Sequence, residues 1–127
     1  MALALQTDAE LIRPLEGAVI RRFTSGDTIA AGQPVAMLAA GTLALADGNS
    51  SDPIADLVCG IALKSVVSGD RVDVVTFGPV SNLTGATPGK LVYISNNVGE
   101  MDESSTGNGV IGWNESATVL FVRPEKP

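Results

Sequence analysis

Glycine-centred turns arrive so often along this chain that no long element fits between them. They include Ser25-Gly26-Asp27, Ala31-Gly32-Gln33, Ala40-Gly41, Asp47-Gly48-Asn49, Ser68-Gly69-Asp70, Pro88-Gly89 and Thr106-Gly107-Asn108-Gly109. Glycine supplies the positive φ that tight turns need, and the runs between are rich in Val, Ile, Leu, Thr and Phe, which suit a pleated surface. Short strands at close, regular spacing point to an all-β sandwich or barrel. The spacing predicts strands at 17–24, 34–38, 42–46, 58–63, 71–77, 90–95, 110–113 and 118–123. Arg71-Val72-Asp73-Val74 alternates polar and apolar, as a half-buried strand does. The runs 74–77 and 119–122 are apolar on both faces, so they lie deep in the core or under another subunit. No window carries a helical apolar stripe. Thr7-Asp8-Ala9-Glu10 has capping-box spacing, but Pro14 limits any helix there to about two turns.

The chain also repeats itself. Ile29-Ala-Ala-Gly32-Gln-Pro-Val-Ala-Met, Val58-Cys-Gly60-Ile-Ala-Leu and Val74-Val-Thr-Phe77 are matched by Gly85-Ala-Thr-Pro-Gly89-Lys-Leu-Val-Tyr, Val110-Ile-Gly112-Trp-Asn-Glu and Val119-Leu-Phe121. The aligned Gly and Phe positions differ by 57, 52 and 44, so the second copy lacks five and then eight loop residues. Two similar β-meander halves closing one small barrel are the simplest physical reading. Its bounds are 17–123, with an N-terminal arm over 1–16 and a tail over 124–127.

Composition narrows the function. The 127 residues suffice for one domain with its own core, and 45% hydrophobic against 17% charged residues excludes long disorder. Nucleic-acid affinity comes mainly from neutralised phosphates, and eight basic residues against fourteen acidic ones, a net −6, argue against nucleic acid and anionic membranes as partners. No stretch approaches eighteen consecutive apolar residues. No basic region followed by an apolar run marks a signal peptide, so the sequons at Asn49, Asn82 and Asn114 read as ordinary loop residues.

Chemistry-bearing motifs fail on inspection. The chain has no His, which removes the commonest general base and metal ligand. Gly107-Asn-Gly109-Val-Ile-Gly112 has dinucleotide-fingerprint spacing but leads into a strand, whereas the pyrophosphate needs a helix N-terminus. Gly85-Ala-Thr-Pro-Gly89-Lys90-Leu91 is one residue short of a phosphate loop, with Leu91 where the magnesium-binding hydroxyl belongs. Asp47-Gly-Asn-Ser-Ser-Asp52 is rich in oxygen ligands, but lacks calcium-loop spacing and reads as a solvated hairpin tip. Cys59 sits mid-strand among apolar residues and reads as a small hydrophobe. Asp56, Asp70 and Asp73 read as solvated charges. Tyr93, Trp113, Phe23, Phe77 and Phe121 read as core or interface packing. No catalytic residue, cofactor or metal is expected.

The composite of turns and strands resembles the small proteins that decorate the heads of tailed bacteriophages, the capsid cement or head decoration proteins. The carrying residues are Arg22-Phe-Thr-Ser-Gly-Asp-Thr-Ile-Ala-Ala-Gly-Gln-Pro-Val-Ala, Val58-Cys-Gly-Ile-Ala-Leu, and Ser68-Gly-Asp-Arg-Val-Asp-Val-Val-Thr-Phe-Gly-Pro-Val. Pro88-Gly-Lys-Leu-Val-Tyr and Val110-Ile-Gly-Trp with Thr118-Val-Leu-Phe-Val complete the set. The resemblance implies a β-barrel or β-tulip that binds the outer surface of the finished head, made in the host cytoplasm and carried on the virion. It implies no enzyme activity. It implies the major capsid protein as partner, with homo-oligomers, trimers first and dimers next.

Two sets of residues are candidates for such contacts. Leu3, Leu5, Leu11 and Ile12 lie on the arm, which either packs back on its own barrel or reaches a neighbour or the capsid; Pro14, which stiffens the exit and directs the arm away from Gly17, favours the second. Val75, Phe77, Leu120 and Val122 lie on the doubly apolar strands and are candidates for a subunit interface. The alternatives are another phage component, such as a head-fibre base or tail part, or a stand-alone ligand-binding barrel of the lipoyl- or biotinyl-carrier kind. A carrier needs a Lys at a hairpin tip, whereas Lys64 follows a strand and Lys90 begins one.

Overall fold

The turn spacing becomes twelve strands in a computed structural model, which describes residues 2–5, 12–38, 40–49, 57–81, 83–84, 86–104 and 107–125. In chain order they are β1 (Ala2–Leu5), β2 (Arg13–Pro14), β3 (Val19–Thr24), β4 (Pro34–Met37), β5 (Leu43–Leu45) and β6 (Gly60–Ala62). There follow β7 (Arg71–Ser81), β8 (Leu83–Thr84), β9 (Leu91–Ile94), β10 (Met101–Asp102), β11 (Val110–Asn114) and β12 (Leu120–Glu125). Each of the eight expected strands is present, and no helix occurs among the described residues. The two-turn helix considered at 7–10 lies outside the described residues. The four strands missed by the sequence reading are β1, β2, β8 and β10, of two to four residues, which are not apolar runs framed by glycine turns.

The internal repeat is legible in the strand order. One half pairs as β5-β4-β6-β7 and the other as β10-β9-β11-β12, and the halves join along an antiparallel β7–β12 seam. The order is therefore a near-palindrome about that seam. The sheet curls into a half-barrel, and no strand pair joins its far edges among the described residues. Loop contacts bring the β5 edge back to the second half instead. The Gly48 and Gly99 amides donate to the carbonyls of Ser95 and Ala46, each at 2.9 Å, holding the end of β5 against the β9–β10 hairpin.

Each half contains one strand glycine that the packing requires. A Cβ at Gly60 would collide with the carbonyl oxygen of Val75, and one at Gly112 with that of Phe121. These are the glycines aligned by the repeat, and both sit where the next strand of the same half passes closest.

Two apolar clusters hold the sheet. One contains Val58, Ile61, Val75, Val80, Val92, Ile94, Met101, Ile111, Leu120 and Val122. The other contains Ile29, Val35, Leu43, Ala62, Val72 and Val74. Successive side chains of a strand point to opposite faces. Ile61 and Ala62, like Val75 and Val74, therefore place the clusters on opposite faces of the first half. The second cluster is roofed by the loop containing Ile29, which bridges to Val66 through two backbone hydrogen bonds of 3.0 and 2.8 Å.

The arm is corrected by the structure. Ala2 and Leu3 of β1 pair with Asp102 and Met101, and Ala4 and Leu5 with Thr84 and Leu83 of the same chain. β2 pairs with the end of β7, and Ile12, 5% exposed, belongs to the first cluster. The segment thus adds strands to its own sheet instead of leaving Gly17 for a neighbour. An unpaired edge beside β10 offers hydrogen-bond partners within the chain's own reach, and Ile12 loses more water-exposed surface in the core than on a linker. Leu11 lies outside the described residues.

Candidate interaction surface

Three aromatic rings meet on the face of the sheet opposite the first cluster. Leu120 and Val122 point into that cluster, so Phe121 between them points out. Trp113 stands opposite Phe121 in the β11–β12 register and opposite Leu91 in the β11–β9 register. The Trp113 and Phe121 rings stack with centroids 5.5 Å apart, and Phe77 meets Phe121 edge-on at 5.2 Å. Val19 is paired with Phe77. Leu91, Trp113, Phe121, Phe77 and Val19 thus form a continuous apolar stripe across five adjacent strands. Leu91, Phe77 and Val19 are 46–49% exposed, and Trp113 37%. Single exposed apolar residues are ordinary, whereas a contiguous aromatic row marks an interaction site.

Of the four interface candidates, only Phe77 is on this surface. Val75, Leu120 and Val122 are each 0% exposed and packed in the chain's own core, which corrects their assignment to an interface between subunits. The physical reason is a bulge. Val19 pairs with Phe77 and Ile20 with Val75, leaving Thr76 as an extra residue in β7. The alternation of β7 slips there, so Val74 and Val75 are buried on opposite faces while Phe77 emerges. The run was doubly apolar because the chain's own two clusters cover it. Trp113 and Leu91 were not separated from the core by sequence, since their outward direction depends on register. The signal that could have found them is their alignment with Phe121 once β9, β11 and β12 are paired.

Polar groups near the stripe are tied into the chain's own structure, apart from the Oδ1 of Asn114, which is buried without a hydrogen-bond partner. Asn114 is fully buried on β11, which corrects its reading as a loop residue. Its Nδ2 donates to Glu103 at 2.7 Å and to the Thr87 carbonyl at 3.2 Å. Glu103 also accepts from the Thr87 amide at 2.6 Å, so this trio pins the 87–90 turn beneath Leu91. Arg22 Nε donates to Asp73 at 2.9 Å, and this contact holds the Asp73 carboxyl below the usual carboxylate range. Burial raises the Cys59 thiol pKa, consistent with a half-buried hydrophobe on the edge of the second cluster. The Asp47 carboxylate accepts from the Asn49 amide at 3.0 Å, closing a local turn, and Asp52 lies outside the described residues. Among the described residues no three carboxylates or thiols gather as metal ligands. A cleft of about 610 Å³ opens beside β2, lined by Ile12, Arg13, Pro14, Leu63, Lys64 and Asp73 among others.

Compared with known proteins, the chain matches no family model, and no curated protein shows significant sequence similarity to it.

Proposed function

We propose that this chain is a structural protein of a virus particle. It binds the outer surface of a tailed-phage head and stabilises it by bridging major capsid protein subunits. The observation that carries this reading is the apolar stripe from Leu91 to Val19, because five aligned apolar residues, three of them aromatic, on the surface of a small domain call for a protein partner. The resemblance of its turns and strands to those of head decoration proteins supports the same reading. The oligomer favoured is a trimer, with Trp113, Phe121 and Phe77 buried between copies. A protein that binds only the assembled shell stabilises the shell by mass action, so no catalytic site is needed for the role.

The experiment is electron microscopy of particles from the source of this chain, with copy number measured by quantitative mass spectrometry. Many copies distributed over the shell, clustered in threes, are expected. A handful of copies at one vertex would indicate a fibre base or tail part instead. Trp113→Ser is expected to leave the isolated domain folded while abolishing its addition to undecorated heads.

A further inference from the structure

The charge of the chain is distributed unevenly. All five arginines lie on four contiguous strands: Arg13 on β2, Arg21 and Arg22 on β3, Arg71 on β7 and Arg123 on β12. The same strands carry two carboxylates, Asp73 and Glu125, so they hold a local balance of +3 within a chain of −6. The remainder is strongly acidic.

β3 is at the outer margin of this basic strip. It pairs with β7, and another strand meets its far side only at its end, where Ser25 bridges Leu43 of β5; residues 19–23 make no backbone hydrogen bond to any other strand among the described residues. In an antiparallel pair every second residue turns its N–H and C=O away from the partner, so the far side of β3 presents free donors and acceptors. Neither face of the strand is covered at its start: Val19, Ile20, Arg21 and Arg22 are four consecutive exposed residues. Alternation places Ile20 with Arg22 on one face and Arg21 with Phe23 on the other. Arg21 stacks over Phe23 at 5.3 Å, and Arg22 is fixed by Asp73, so both guanidinium groups are already oriented. The strip continues through β2 and Asp73 into the cleft lined by Arg13 and Lys64.

We infer that the free edge of β3 is a docking site for an extended, acidic segment of another protein, which adds to the sheet as a further strand. Backbone hydrogen bonds to residues 19–23 supply affinity. Carboxylates opposite Arg21 and Arg22, and apolar residues opposite Val19 and Ile20, supply the choice of partner. A second copy of this chain is disfavoured at the same edge, because antiparallel pairing of β3 with itself brings arginines against arginines. The inference does not depend on the virus-particle reading: its failure leaves the copy number and the stripe untouched.

The test uses the full chain and a fluorescein-labelled twelve-residue peptide repeating valine, valine, glutamate, glutamate, followed by fluorescence anisotropy. Saturable binding is expected, with slowed amide exchange confined to residues 19–23. Replacing the glutamates by lysines, or methylating alternate backbone nitrogens of the peptide, is expected to abolish it. Arg21→Glu is expected to weaken binding about tenfold while its melting curve matches the parent. Four results would each overturn the proposal. They are no saturable binding, equal binding of the methylated peptide, equal binding of an oligonucleotide of the same charge, and self-association of the chain that Arg21→Glu removes. The last would give the edge to a second copy.

Discussion

The two halves of the sheet share one strand order and differ in what covers them. The first half is buried on both faces. Ile61 and Val75 point into one cluster, Ala62 and Val74 into the other, and the Ile29–Val66 roof closes the second. The second half is buried on one face, and its other face carries Trp113, Phe121 and Leu91 in the open. Sequence alignment of the repeat puts Trp113 opposite Ile61, yet Ile61 points into the first cluster, 0% exposed, while Trp113, beyond the register shift between Val110 and Gly112, points to the other face, 37% exposed. A repeated meander therefore fixes the scaffold, and the difference in cover decides which half keeps an apolar face for a partner.

This comparison can be broken most directly at the strand glycines. Gly60→Ala and Gly112→Ala each drive a methyl group into a neighbouring carbonyl, and each is expected to cost about 3 kcal/mol or more. Urea unfolding of both variants measures this. An alanine tolerated in one half but not the other would end the structural equivalence of the two positions.

The next effect compares matching faces. Leu43→Ala empties the doubly covered half and is expected to cost about 2–4 kcal/mol. Trp113→Ala, on the same face of the open half, is expected to cost about 1 kcal/mol by thermal melting, because what it loses is stacking on Phe121 and partial burial. Size-exclusion chromatography with light scattering should show the reverse ranking for association. A Trp113 loss as large as that of Leu43 would place the stripe in the core.

Asn114→Ala removes the donor that holds Glu103 and the Thr87 carbonyl, and is expected to cost about 1–2 kcal/mol. The first half has Ala62 at the aligned position and needs no such tie, so Ala62→Ser serves as the contrasting measurement.

Acid gives the smallest effect. Asp73 is held below the usual carboxylate pKa by Arg22, and Asp102 by the amide of Ser104. For a carboxylate depressed in the folded state, stabilisation is complete above the unfolded pKa near 3.8 and is lost as pH falls through the lower folded value. Melting temperature should stay flat from neutrality to about pH 4 and fall below it. Asp73→Asn should remove part of that fall from the first half and leave the contribution of Asp102 in the second.

Much of this architecture is readable from residues alone, for a physical reason. Glycine turns and β-branched runs are local signals, so the eight strands framed by such turns and the repeat could be placed before any pairing was known. Phase is not local. The slip at Thr76 depends on how β3 meets β7, and it alone decides that Val75 is buried while Phe77 is open. The same holds for the arm: its apolar residues were legible, but their destination depended on an edge beside β10 that exists once the sheet has formed. Within the interaction surface, Phe77 could be singled out by residue type, whereas Leu91 and Val19 required cross-strand register.

The seam between the halves has a consequence for synthesis on the ribosome. Leu120 pairs with Val80, so the closing half of β7 waits for a strand made forty residues later. At about 5–20 residues per second, that interval is roughly 2–8 s. During it the first half can complete its own pairing, β5-β4-β6-β7, while the end of β7 lacks β12. β2, made earlier, is available to pair with Arg13 at Ser81 and Pro14 at Val80, shielding one side of the nascent strand. The short N-terminal strand thus leaves the nascent end of β7 with one open side instead of two, the side that β12 later takes, and Pro14, which has no N–H to donate, closes the covered side as an outer edge.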